Sequence, residues 1–245
     1  MTELNKRSKN LRLEIIKLSK ANGGYHYGGS FSCVEILISL FDNCLNFEQD
    51  KFVMSKGHAC WGYYVLLQER GFKPLLEGHP HRDVHNGVEW TTGSEGHGMP
   101  AGVGMALARK IKKQKGDIFV LIGDGECQEG TTWESFLLAK QHHLNNLTVI
   151  VDYNKIQGSG FVEDILSIKS LGNVAKAIGW KVSEIDGHNL EIMTKILKED
   201  KNEPHLVIAD TIKGKGVSFM ENQPKWHANW PSPEYEKKAV EELSK

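Results

Sequence analysis

The sequence predicts an α/β fold, a mostly parallel β-sheet with helices on both faces. Short apolar runs recur along the chain, for example at 117–122, 147–152 and 205–210. Segments with helical periodicity separate these runs. Strands that are apolar on both faces are covered on both sides, which is typical of a parallel sheet between two layers of helices.

The first part of the chain is predicted to be mainly helical. Residues 3–21 have the pattern of an amphipathic helix. Its apolar face carries Leu4, Leu11, Ile15 and Leu18. A second helix is expected to begin near Ser32, because Ser32 and Glu35 have the spacing of a capping box. A short buried strand at 51–55 and a helix over 58–70, with an aromatic cluster in its core-facing part, complete this region.

The remaining elements alternate between helix and strand. A glycine-rich turn from Gly93 leads into a helix that ends near Lys113. A helix over 131–143 is predicted from a second capping box, Thr131 and Glu134. Strands are predicted at 117–122, 147–152, 180–186 and 205–210.

The last predicted helix begins with Ser232 as N-cap and Pro233 as its first residue. The 245 residues contain no internal repeat and no low-complexity linker. This length suits one large α/β domain or two small ones.

Composition limits the classes of function. With 40% hydrophobic and 25% charged residues, the chain has the composition of a soluble globular protein. A net charge of −1 gives no field that would recruit nucleic acid or anionic lipid. No apolar stretch approaches the roughly 20 residues that span a bilayer, and the N-terminus reads as a helix, not a secretory signal. The four scattered cysteines lack a C-x-x-C pair, so we expect reduced thiols and a cytoplasmic location.

Two polar residues follow neighbouring strands of the predicted sheet. Asp124 lies between two glycines after the first strand, and Asn154 follows the next strand. Parallel strands would bring both side chains to the same carboxyl edge, where open α/β sheets bind ligands. Carboxylate and amide oxygens suit Mg²⁺, which substrate phosphates and water usually complete. The spacing alone allows equally an ordinary turn in which Asp124 caps the following helix.

Several motifs resemble those of thiamine diphosphate enzymes, and in particular of transketolases. "GDGECQEG" followed by "VDYNKIQ" is similar to the family's diphosphate-binding motif, a GDG closed by a later Asn. Other similar segments, in family order, are "YHYGGSFSCVEIL", "FVMSKGHA", "GHP", "GVEWTTGSEGHGMPAGVGMALA", "DGHN", "TIKGKGVSFME" and "KWH". The resemblance covers nearly the whole chain. It implies the thiamine diphosphate-binding fold, with residues 1–245 as a single diphosphate-binding domain.

The resemblance implies two cofactors, thiamine diphosphate and Mg²⁺. The metal would be held by Asp124, Asn154 and the main-chain carbonyl of Ile156, and the N–H of Gly125 would meet the diphosphate. The full set implied to bind the cofactor is His58, Gly93, Glu95, His97, Gly123, Gly125, Ile156 and His227.

The resemblance also implies the residues of the reaction. His26 and His79 would hydrogen-bond donor and acceptor hydroxyls, and His58 and His227 would contact the diphosphate. Glu129 matches a glutamate near the family's dimer interface that helps to connect paired active sites. The resemblance implies His26, His79, His227 and Glu129 as the catalytic residues. Imidazole suits this work because it can donate or accept a proton near neutral pH.

Each of these residues also has an ordinary structural alternative. A single histidine is more often a surface or hydrogen-bonded core residue, and Glu129 would suit the first turn of a helix. Four histidines at matching positions favour the site. His188 is expected to have a structural role in its loop. The remaining histidines match nothing and are expected at the surface: His81, His85, His142, His143 and His205.

Three positions depart from the family pattern. Glu95 stands where the family usually has Leu near the aminopyrimidine of the cofactor. Its carboxylate could turn away, pair with a cation of a partner, or change the acceptor. His97 stands where many transketolases have Gln. Ala228 replaces a usual Gly and precedes "NWPSP", so we expect a remodelled rim of the substrate channel.

The matched motifs are those of the N-terminal domain alone. In transketolases a second domain supplies the glutamate that activates the aminopyrimidine and most of the residues that grip a sugar phosphate. We therefore expect a split transketolase, in which this N-terminal subunit pairs with a separately encoded C-terminal, pyrimidine-binding subunit in an α₂β₂ heterotetramer. It would transfer a two-carbon ketol unit from a ketose to an aldose, with sugar phosphates as the default substrates and no nucleic-acid or membrane partner. The alternatives are a subunit of another thiamine diphosphate enzyme, such as 1-deoxyxylulose-5-phosphate synthase or a 2-oxo-acid dehydrogenase, and a non-catalytic cofactor-binding protein.

Overall fold

The computed structural model describes residues 3–229 and 231–245. The strands are β1 (Lys51–Met54), β2 (Ile118–Gly123), β3 (Leu147–Tyr153), β4 (Ile156–Gln157), β5 (Gly160–Phe161), β6 (Lys181–Asp186) and β7 (His205–Asp210). The α-helices are α1 (Glu3–Ala21), α2 (Tyr27–Ser32), α3 (Val34–Ile38), α4 (Trp61–Gln68), α5 (Gly98–Ile111), α6 (Gly130–Gln141), α7 (Val162–Ile165), α8 (Leu171–Ile178), α9 (Leu190–Leu197) and α10 (Pro233–Leu243). Short 3₁₀ turns and one π-helical turn (Ser39–Cys44) connect them.

The central sheet has five strands in the order β1-β2-β3-β7-β6, and every neighbouring pair is parallel. Strands β4 and β5 form a separate antiparallel pair shortly after Asn154. Because the five strands run in the same direction, all of their carboxyl ends lie at one edge of the sheet. The predicted parallel sheet is confirmed.

Apolar residues cover both faces of the sheet, as the continuous apolar runs predict. In β2, Phe119 and Leu121 join one core cluster, whereas Val120 and Ile122 join the other. The first cluster includes buried residues of α1, α4 and α9, and the second those of α5, α6 and α8. Helices therefore lie on both faces, in agreement with the predicted fold class.

Most predicted elements are found close to their expected bounds. Helix α1 confirms the first helix, although the side chain of Leu4 lies outside the described part of the chain. The aromatic cluster of α4 is buried in the core, and Trp61, Tyr63 and Tyr64 are at most 1% exposed. Ser232 caps α10, since its hydroxyl accepts a hydrogen bond from the N–H of Tyr235.

Both predicted capping boxes are wrong. Ser32 is the last residue of α2, and its hydroxyl donates to Asp152 Oδ2 at 2.5 Å instead of capping a helix. Glu35 pairs with Arg12 at 2.7 Å. Thr131 lies inside α6 and donates to the carbonyl of Gly96. These side chains bond to residues that are distant in the sequence, and the spacing of nearby residues cannot predict such contacts.

One predicted surface histidine is buried. His205, at the start of β7, is 0% exposed, and its Nε2 lies 2.9 Å from Ser183 Oγ on β6. Burial, together with nearby Lys181 and Lys201, lowers the pKa of His205 to about 4. In the part of the chain that the structure describes, no helix is long and apolar enough to cross a membrane.

Candidate functional site

Asp124 and Asn154 lie together at the carboxyl edge of the sheet, as predicted. They follow β2 and β3, which are neighbours, with Gly123 paired to Asp152. Asp124 is 2% exposed and Asn154 is 3% exposed. Two buried polar side chains at the ligand-binding edge of a parallel sheet form the core of a candidate site.

The Asp124 carboxylate is bonded to backbone N–H groups. Its Oδ1 accepts from Gly125 at 2.9 Å and its Oδ2 accepts from Lys155 at 2.5 Å. The first bond caps the 3₁₀ turn Gly125–Gln128, so the capping alternative is also partly present. Burial and the charge of Asp152 raise the pKa of Asp124 to about 7. A cation placed beside this buried carboxylate would favour its charged form.

Asp152 orients the side chain of Asn154. The Asn154 amide nitrogen donates to Asp152 Oδ2 at 3.1 Å and to Ser32 Oγ at 3.4 Å. The amide oxygen accepts from the N–H of Ile156 at 3.1 Å. Hydrogen bonds at both ends of the amide thereby fix the orientation of the Asn154 side chain.

Lys56 and Asp152 form a buried ion pair beneath the site. Their side chains are 1% and 0% exposed, and Lys56 Nζ donates both to Asp152 Oδ2 and to the carbonyl of Gly29. Burial opposes the charge of Lys56, but the Asp152 carboxylate outweighs it and raises the pKa of the ammonium. Both groups are therefore charged, and the pair as a whole is neutral.

Lys213 is a second buried cation, which the sequence motifs do not predict. It is 1% exposed, and its Nζ donates to the carbonyl of Ile156 at 2.7 Å and lies 2.9 Å from His227 Nδ1. Burial and the charge of Lys56 lower the pKa of Lys213 to about 8. Its local signal in the sequence is weak: a lysine beside glycine in "TIKGKG", within a segment that resembles the family.

The candidate site is one narrow cavity. It brings together eight residues predicted for the site or its cofactor with Lys56, Gln157 and Lys213, which are not predicted from the motifs. The predicted residues are His58, Glu95, Gly123, Asp124, Gly125, Asn154, Ile156 and His227. The described residues contain no group of three or more His, Cys, Asp or Glu side chains placed to hold a metal ion. A metal here would need the mixed set of carboxylate, amide and main-chain oxygens.

Four predicted histidines form a cluster, and two of them, His58 and His227, line the cavity. The ring centroid of His26 lies 5.4 Å from that of His58, 6.5 Å from His79 and 5.5 Å from His227. His26 also has a left-handed backbone, with φ 65°. A non-glycine residue in this region carries strain that the surrounding structure must maintain, which is common at functional sites.

Three histidines of this cluster, His26, His58 and His227, are neutral at neutral pH. Burial lowers the pKa of His26 to about 4, and the neighbouring His79 and Lys213 act in the same direction. Burial and Lys213 lower the pKa of His227 to about 3, and burial and Lys56 lower the pKa of His58 well below its usual value. Neutral rings can both donate and accept hydrogen bonds, which suits recognition of hydroxyl groups.

The other predicted residues surround the cavity without lining it. Gly93, with φ +140°, lies against the ring of His79. His97 is exposed, and its Nδ1 lies 2.9 Å from the carbonyl of Glu95. Glu129 is also exposed, at the N-cap of α6 beside Gly96. His188 bridges Glu35 and the N–H of Ile212, which agrees with the structural role expected for it.

Comparisons with known proteins agree with this geometry. Residues 5–238 match the family described as "Transketolase, thiamine diphosphate binding domain". The chain is 40% identical to a subunit of apulose-4-phosphate transketolase from Actinobacillus succinogenes, over 98% of this chain and 96% of the relative. It is 34% identical to a subunit of 6-deoxy-6-sulfo-D-fructose transketolase from a Clostridium species, over 96% of this chain and 93% of the relative.

Solved transketolases share the fold. The enzyme from Campylobacter jejuni superposes with a TM-score of 0.86 at 30% identity, and that from Leishmania mexicana with a TM-score of 0.90 at 25% identity. This chain is covered completely in both cases but spans 43% and 42% of those proteins. The predicted resemblance to an N-terminal transketolase subunit is confirmed. The chain belongs to the transketolase family and represents its thiamine diphosphate binding domain.

Proposed function

We propose that this chain is the diphosphate-binding subunit of a two-subunit transketolase, which transfers a two-carbon ketol unit from a ketose to an aldose. One observation carries the proposal. A single cavity at the carboxyl edge of β2 and β3 combines an Asp–Asn pair with two buried lysines and adjoins four histidines. Anion-binding groups, oxygen donors and hydroxyl-recognising groups are all present within one site.

Mg²⁺ is the metal we propose for the oxygen donors of Asp124, Asn154 and the Ile156 carbonyl. The fit rests on the buried Asp124 carboxylate, whose bonds are to backbone N–H groups, and on the fixed orientation of the Asn154 oxygen. The Ile156 carbonyl accepts from Lys213, but a carbonyl oxygen has a second lone pair that can face a cation. The donor set is therefore one that a hard divalent cation prefers.

The diphosphate of the cofactor would lie against the positive side of the cavity. Lys213, His58 and His227 are placed to donate to it, next to the glycines Gly123 and Gly125. The N–H of Gly125 donates to Asp124 in this structure, so its proposed bond to the diphosphate requires sharing that donor. When bound, the cofactor supplies the electron sink for breaking the carbon–carbon bond of the ketose.

The outer residues would act on the sugar and on the partner. His26 packs against His58 and His227, which line the cavity, and His79 lies beside His26; we assign His26 and His79 hydrogen bonds to substrate hydroxyls. Gly93 and His97 flank Glu95, which lines the cavity, and we assign this loop to the cofactor. We assign the exposed Glu129 to the interface with a partner chain, where it would help connect paired sites.

A separately encoded C-terminal subunit would complete each site, in a heterotetramer with two copies of each chain. Support comes from relatives that are named as transketolase subunits and that this chain matches almost end to end, and from solved transketolases more than twice its length. Ketoses related to apulose 4-phosphate and 6-deoxy-6-sulfo-D-fructose are the first substrates to test, since relatives are named for them. A cytoplasmic location is proposed from the four free cysteine thiols.

The test is a ketol-transfer assay with the purified chain, by itself and after addition of the C-terminal subunit. We expect transfer only when both subunits, Mg²⁺ and thiamine diphosphate are present. Asp124→Ala should abolish transfer by the pair, whereas Lys17→Ala on the exposed side of α1 should leave it intact. Full transfer by this chain without a partner would contradict the two-subunit proposal.

A further inference from the structure

The carboxylate of Glu95 lines the cavity where the diphosphate is proposed to bind. Its Oε1 lies 3.7 Å from His58 Nδ1, and its Oε2 lies 3.4 Å from the position that a Cβ on Gly125 would take. Both His58 and Gly125 belong to the proposed diphosphate-binding groups. A negatively charged side chain therefore lies beside the proposed binding position of the negatively charged diphosphate.

The backbone is held by hydrogen bonds on the C-terminal side of Glu95. The N–H of Gly96 donates to Glu126 Oε1 at 3.1 Å, and Thr131 donates to the carbonyl of Gly96 at 2.7 Å. The carbonyl of Glu95 itself is 2.9 Å from His97 Nδ1. The loop cannot easily withdraw, so the carboxylate can leave the cavity only by rotation of its own side chain.

The side chain has room to rotate. It is 45% exposed, unlike the side chain of Glu126, which is buried. At 3.7 Å, its contact with His58 is longer than a hydrogen bond, so no hydrogen bond to His58 holds the carboxylate in the cavity.

We propose that Glu95 is an affinity-determining residue that competes with the diphosphate of the cofactor for this cavity and must rotate toward solvent before the diphosphate binds. This inference rests on the proposed function of the site. Two like charges within several ångströms at a partly exposed site repel moderately. We expect removal of the carboxylate charge to tighten diphosphate binding roughly three- to tenfold.

The experiment measures binding of inorganic diphosphate, with Mg²⁺ present, to the full chain by calorimetry. Glu95→Gln keeps the shape of the side chain without its charge, and Glu95→Ala removes the carboxylate altogether. Glu191→Gln is the matched control, since it makes the same charge change on exposed Glu191 in the first turn of α9. Lys213→Met tests whether the diphosphate binds in the proposed cavity at all.

Both Glu95 variants should bind more tightly than the wild type, and the gain should shrink in high salt because it arises from charge. Glu191→Gln should bind like the wild type, and Lys213→Met more weakly. Equal or weaker binding by both Glu95 variants would overturn the inference, including the case in which no variant binds measurably. If Lys213→Met binds as well as the wild type, the proposed diphosphate site itself is wrong.

Discussion

Replacement of Lys56 by Met should destabilise the fold strongly. The Lys56 and Asp152 side chains are 1% and 0% exposed, and the ammonium donates to Asp152 and to the carbonyl of Gly29. Methionine has a similar volume, so the substitution removes the charge without opening a large cavity. It leaves the Asp152 carboxylate buried and without its counter-ion.

The magnitude follows from what remains around Asp152. Loss of one partner of a buried ion pair typically costs about 3–5 kcal/mol of unfolding free energy. Asp152 keeps hydrogen bonds from Ser32, Asn154 and Thr211, which offset part of the lost attraction. We therefore expect a loss near the lower limit, about 3 kcal/mol. At about 2–4 °C per kcal/mol for a chain of this size, Tm should fall by roughly 6–12 °C.

Urea unfolding at pH 7, followed by circular dichroism, measures this loss. The control is Lys17→Met, since Lys17 pairs with Glu14 on the surface with side chains 77% and 51% exposed. That variant should stay within about 0.5 kcal/mol of the wild type. The double variant Lys56→Met/Asp152→Asn should recover part of the loss because no buried charge is left unpaired. If Lys56→Met stays within about 1 kcal/mol of the wild type, the buried pair does not stabilise the fold in this way.

Three further predictions concern pH and the backbone. Burial alone would raise the pKa of Glu35, but the Arg12 guanidinium helps to hold it at about 2, so about 3 kcal/mol of stability should be lost as pH falls from about 5 to about 2; urea unfolding should show this slope down to about pH 3 in the wild type but not in Glu35→Gln. His26, whose pKa burial lowers to about 4, should show no ring protonation between about pH 6 and 8 by NMR, and a midpoint near 6.5 would contradict its buried setting. Gly93→Ala should cost about 1–3 kcal/mol, because φ is +140° and a Cβ would lie 3.0 Å from the ring of His79; an unchanged Tm would count against this.

The sheet and its candidate metal-binding edge are predictable from the sequence. Buried parallel strands such as β2 and β3 are short continuous apolar runs, and their direction fixes where the next polar residue must lie. Asp124 and Asn154 therefore meet even though thirty positions separate them. The direction of the strands is enough to predict that the two residues meet, and the alternation of helices and strands predicts that direction.

The buried charged groups of the site are not predictable in the same way. Lys56 and Asp152 are 96 positions apart, and nothing next to either residue signals that a lysine is completely buried. Lys213 is brought to Ile156 from 57 positions away. The capping boxes fail for the same reason, since the hydroxyl of Ser32 is committed to Asp152, 120 positions along the chain.

The two-subunit proposal is best tested by native mass spectrometry of the chain, purified gently with Mg²⁺ and thiamine diphosphate from the cells that make it. We expect an assembly of two copies of this chain and two copies of a second polypeptide, with the cofactor bound. A homo-oligomer of this chain that carries the cofactor and transfers ketol units without a second polypeptide would contradict the proposal.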